Sequence, residues 1–142
     1  MSKNTKRIEQ AKELLTMIET MDHRHEDSLD KLDLGFTLLL NNVPRKGKVK
    51  TVCNDEGRRV LFQLHGAIEQ QLYSRSRDAL KAARPEGWCF QMAEYNKPHN
   101  TGFVCYLWEE DTVRSSKGLM PTEELAEFHA IVQAWIYVWE GE

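Results

Sequence analysis

Residues 125–139 leave this chain few ways to fold. Pro121-Thr122-Glu123-Glu124 reads as a helix start with acids in the first turn. Behind it Leu125, Phe128, Val132, Trp135 and Trp139 fall on one stripe at helical spacing. Ala130, Ile131, Ala134, Ile136 and Val138 extend the apolar surface around much of the remaining circumference. A helix apolar nearly all round is central to a core or shares its surplus surface with a partner. The rest of the chain must therefore wall it in on several sides. With 142 residues, 41% of them hydrophobic, and four Trp, five Phe and four Tyr, the chain has the material for one globular domain over residues 1–142.

Two walls are helical. Thr5 caps a helix in which Ile8, Ala11, Leu15 and Ile18 share a stripe, with Leu14, Met17 and Met21 beside it, ending near Asp22. A second helix carries Leu29, Leu32, Phe36, Leu39 and Leu40 and ends at Asn41-Asn42, before Pro44. Gly35 inside it costs about 1 kcal/mol relative to Ala, which marks close packing or a break. Lys48–Cys53 reads as a short strand. Asn54-Asp55-Glu56 then reads as the start of a third helix, with Val60, Leu61, Leu64, Ala67, Ile68, Leu72 and Leu80 at helical spacing to about Ala83. The rival makes Arg59–Leu64 the second arm of a hairpin turning at Asn54–Gly57, and the longer 3.6-residue period favours the helix.

From Gly87 the pattern becomes β-rich. Trp88–Ala93 and Thr101–Trp108 flank Tyr95–Asn100, a turn-forming cluster read as a mobile loop. Paired about that loop, Trp88, Phe90 and Met92 share a face with Phe103, Cys105 and Leu107, while Cys89, Gln91 and Ala93 share the other with Val104, Tyr106 and Trp108. Cys89 and Cys105 then lie on opposite faces, which disfavours a disulfide. The expected class is α+β, about four helices packed with a small antiparallel β-hairpin or sheet.

Functional signals are sparse. No apolar run spans a bilayer, and Met1–Gln10 shows no signal peptide. Three cysteines without a C-x-x-C pair point to free thiols in a reducing compartment, so a cytoplasmic location is expected. Asp22-His23-Arg24-His25-Glu26-Asp27 holds metal-ligand residue types, yet only His23 and Asp27 would share a helix face, and a solvated connector is the reading. His65, His99 and His129 have no motif tying them to a cysteine nucleophile. There is no G-x-S-x-G, Walker loop or G-x-G-x-x-G, and no cofactor is implied.

Charge is unevenly spread. Residues 45–84 carry ten Lys/Arg against four acids, and residues 85–142 three against ten. The simplest account is that these two parts face each other and partly cancel. Arg45, Lys46, Lys48, Lys50, Arg58 and Arg59 form the best nucleic-acid candidate, extended along the third helix by Arg75, Arg77 and Lys81. A protein-interaction surface ranks ahead of it, using Tyr95, Lys97 and His99 of the loop with Trp135 and Trp139 of the last helix. A third reading is a small-molecule pocket between hairpin and helices, lined by Trp88, Phe90, Tyr106 and Trp108.

Gly87-Trp88, Leu107-Trp108 and Pro121-Thr122-Glu123-Glu124-Leu125 give about the last 55 residues a resemblance to small accessory proteins of bacteriophages and other mobile elements. In those proteins a Trp-led hairpin ending in Leu-Trp precedes a Thr-Pro-type helix start; here the Pro and Thr stand in reverse order. The resemblance implies a small cytoplasmic protein that acts by binding, modulating a host system, and it carries over no catalytic residue. The leading expectation is a non-enzymatic interaction protein, a homodimer or a binder of a larger protein. Nucleic-acid binding comes second, and a small-molecule site or enzyme third.

Overall fold

A computed structural model describes residues 4–42, 50–53, 59–63, 66–69, 71–97, 100–110 and 115–142. In chain order these form α1 (Thr5–Thr20), α2 (Glu26–Leu40), β1 (Lys50–Cys53), β2 (Arg59–Gln63), β3 (Gly66–Glu69), α3 (Arg77–Ala83), β4 (Trp88–Lys97), β5 (Asn100–Glu109), β6 (Ser115–Met120) and α4 (Glu123–Glu140). The fold is α+β. Its strands make two antiparallel three-stranded sheets, ordered β1-β2-β3 and β4-β5-β6. Among the described residues no helix is long and apolar enough to cross a membrane.

α4 is the central element. The Thr122 hydroxyl caps it, accepting from the Leu125 backbone N–H at 3.2 Å, with Glu123 and Glu124 in the first turn. Eight consecutive residues, Leu125 to Val132, are buried, which requires cover on every side of the helix. β5 and β6 pack along α4, α1 lies against it, and α3 adds a further contact, while α2 packs on α1. Ile8, Ala11, Leu14 and Ile18 form the buried stripe of α1; Leu32, Phe36 and Leu39 are the buried core residues of α2. The α1 cap differs from expectation. Asn4, not Thr5, precedes the helix, and its amide donates to the Trp139 carbonyl and to Glu142 rather than capping. Gly35 is buried and α2 runs through it unbroken.

The sheet on α4 has the expected faces. The β4–β5 register pairs Phe90 with Leu107 and Met92 with Cys105, while Cys89 stands opposite Trp108. Trp88, Phe90, Met92, Phe103, Cys105 and Leu107 belong to the core built on α4. Cys89 and Cys105 are free thiols on opposite faces. The hairpin is longer than its sequence suggested: Tyr95, Asn96 and Lys97 continue β4, and Asn100 opens β5. The reading of Tyr95–Asn100 as a mobile loop is thus corrected for these four residues; Pro98 and His99 lie outside the described residues. β6, with its Ser-Ser-Lys-Gly opening, carried no recognisable strand pattern.

The third helix of the sequence reading is overturned over most of its length. Residues 59–63 and 66–69 are strands, and the rival hairpin is the correct reading: Thr51 pairs with Leu61 and Cys53 with Arg59. β2 pairs in turn with β3, Leu61 opposite Ile68. Val60, Leu61, Ala67 and Ile68, which mimicked a helical period, belong to two short strands. Val60, Phe62 and Ile68 are strand formers, and Gly66 is a poor helix residue. Among the described residues of this segment, Arg77–Ala83 alone is helical, capped by the Ser76 hydroxyl and stopped at Arg84, which takes the extended conformation imposed before Pro85.

Candidate functional site

Two features of the described residues have site-like character: a partly buried ionic cluster beneath α3, and the face of the β4–β5–β6 sheet turned away from α4. The cluster is built by helical spacing. Glu123 and Glu127, four residues apart on α4, present two carboxylates on one side of the helix. Arg77 begins α3 and Arg84 follows its end, so both guanidiniums reach that side. The Arg84 Nη2 donates to Glu127 Oε1 at 3.0 Å, Arg77 Nη2 stands 3.8 Å from the same oxygen, and Arg77 Nη1 pairs with Glu123. The Arg84 guanidinium also lies over the Phe90 ring, 3.8 Å from its centroid. Trp135 Nε1 donates to the Ala83 carbonyl at 2.7 Å, tying the last turn of α3 to α4.

Cys105 sits beside this cluster on the inner face of β5. Burial pushes its thiol up to about 12, the Glu127 carboxylate adding to the effect and Arg84 and Arg77 opposing it. A thiol so displaced stays protonated at neutral pH and is no nucleophile. The cluster therefore holds charges that neutralise one another. It is built to join α3 to α4 and offers no activated group.

A similar junction joins α2 to the segment before α3. Asp33, fully buried, accepts from the Ser74 backbone N–H at 2.7 Å and from Arg75 Nη2 at 3.1 Å, and Arg75 also bonds Asp30 at 2.7 Å. Burial raises the Asp33 carboxyl above its ordinary value, although Ser74 and Arg75 pull the other way. Phe36, Tyr73 and Phe128 pack ring against ring above it, with centroids 4.8–6.1 Å apart. Arg75 and Arg77 thus face carboxylates of the chain itself, which corrects their assignment to a continuous basic surface on a third helix. Arg77 and Arg84, from the basic middle, meet Glu123 and Glu127, from the acidic last third. The uneven charge cancels internally at this point.

The outer sheet face is of a different kind. Tyr95 stands opposite Gly102, whose φ of 148° lies outside the range L side chains favour, and Tyr106 stands opposite Gln91. Between those two pairs lies Ala93–Val104. The two phenols lean together over it, their hydroxyls 3.1 Å apart, and Val104 is buried although it faces away from α4. The bond from Tyr95 raises the Tyr106 phenol above its ordinary value. Two residues further along β5, on the same face, Trp108 is 37% exposed. One face of a regularly paired sheet therefore carries Tyr95, Tyr106 and Trp108.

Of the partner residues expected from sequence, Tyr95 lies on this face. Lys97 ends β4, and His99 lies outside the described residues. Trp139 is corrected from surface to core: it is 2% exposed, with Arg7 stacked over its ring and Trp135 5.5 Å away. Trp135 is half-buried and its indole N–H is engaged. The pocket expected between Trp88, Phe90, Tyr106 and Trp108 is excluded by the register, which places the first two on the inner face and the last two on the outer. Of the basic set, Lys50 and Arg59 mark opposite ends of the β1–β2 ladder. Arg45, Lys46, Lys48 and Arg58 lie outside the described residues.

In the Asp22–Asp27 connector, Arg24 donates to both oxygens of Asp22 at 3.0 Å and holds that carboxyl well below the usual range; His25 Nε2 is 3.4 Å from it. Among the described residues no group of three or more His, Cys, Asp or Glu side chains is arranged to hold a metal ion.

Sequence reasoning passed over Glu127 and Asp33. Their signal was present: each is a carboxylate inside an apolar helical run, where only a buried cation or a backbone donor makes it tolerable. Comparison with protein-family models, with curated proteins and with solved structures finds no match to this chain.

Proposed function

We propose that this protein acts by binding another protein, either a second copy of itself or a larger host protein, through the outer face of β4 and β5. The observation that carries the reading is Trp108, exposed on β5 on the same face as Tyr106 and Tyr95 and on the side of the sheet away from α4. Tyr and Trp anchor interfaces because they bury a large area at little entropic cost and keep a polar tip for hydrogen bonding. Beneath α3, Arg77 and Arg84 meet Glu123 and Glu127 of the chain itself, which leaves the outer sheet face as the better-supported site. The resemblance to phage and mobile-element accessory proteins, and the cytoplasmic setting it implies, agree with a binding role.

The test is a tagged pull-down from a lysate of the source organism, with and without nuclease, using the wild-type chain and Trp108→Ala, alongside sedimentation of the purified protein. The expected result is a partner or self-association that survives nuclease and is lost in Trp108→Ala, with the melting temperature nearly unchanged. Retention that Trp108→Ala leaves intact overturns the assignment. Retention abolished by nuclease transfers the function to nucleic acid and to Arg45, Lys46, Lys48, Lys50, Arg58 and Arg59.

A further inference from the structure

We draw no further inference here: the strongest candidate, the edge of β4 that no described strand pairs, adjoins the face already assigned to partner binding, and nothing in the structure shows what covers it.

Discussion

Replacing Arg84 by Met tests whether the cluster beneath α3 holds the fold together. Glu127 has no solvent exposure, while Arg84 keeps 20%. Arg84→Met leaves the Glu127 carboxylate buried, with only Arg77 nearby at 3.8 Å. Removing one partner of a buried pair costs about 3–5 kcal/mol, and the remaining attraction of Arg77 reduces that here to roughly 2–4 kcal/mol. Glu127→Met should cost less, about 1–2 kcal/mol, because the partly exposed Arg84 can turn towards water. The double variant removes both charges and should be more stable than Arg84→Met alone, with a coupling of about 2 kcal/mol. Urea unfolding followed by tryptophan fluorescence reads this directly. With m of about 2 kcal/mol/M, the Arg84→Met midpoint should fall by about 1–2 M and partly recover in the double variant. An Arg84→Met midpoint within about 0.3 M of wild type, or a double variant equal to the sum of the singles, refutes the reasoning.

Asp33 supplies a pH dependence. Its folded carboxyl lies above the ordinary value, so just above that value the folded state holds a proton the unfolded chain has lost. Stability from this group is present below the ordinary carboxylate range and declines as pH rises through the raised value. In urea midpoints measured from pH 3 to 8, wild type should therefore lose ground relative to Asp33→Asn as pH rises; parallel profiles would count against the assignment. Cys105 should resist alkylation in the native state while the half-buried Cys89 reacts, read by mass mapping after a timed iodoacetamide pulse; equal rates would contradict the burial. Arg7 donates to the Leu39 and Leu40 carbonyls at 3.0 and 2.9 Å and stacks on Trp139, closing the C-terminus of α2. Arg7→Lys should lower stability by about 1–2 kcal/mol, since an ammonium cannot hold both carbonyls and stack at once; an unchanged thermal midpoint would rule this out.

The long helices and the paired faces of the hairpin were legible because each rests on a local period. Leu32, Phe36 and Leu39 recur at helical spacing over enough residues to exclude a strand, and Phe90, Met92, Cys105 and Leu107 obey the two-residue alternation of the pleat. Residues 59–69 failed for the converse reason. Val60, Leu61, Ala67 and Ile68 fit a helix as two strands joined at residues 64–65, and the decision belongs to the pairing of Leu61 with Thr51 on one side and Ile68 on the other. β6 was invisible because a strand at a sheet edge draws its order from the ladder to β5 rather than from its own Ser-Ser-Lys-Gly sequence.

Two features are set along the chain: α4 must be surrounded, and the strands flanking residues 98–99 have one apolar face. Both follow from side-chain periodicity, which needs no knowledge of distant residues. Tertiary packing decides which aromatics remain outside. Trp139 and Trp108 are chemically alike, yet one lies under Arg7 and against Trp135, and the other stands on the sheet face away from α4. It also decided that Arg77 and Arg84 meet Glu123 and Glu127, turning an uneven charge distribution into internal ion pairs. Burial and charge pairing depend on which surfaces come together, and that is settled by packing of residues more than forty positions apart in the chain.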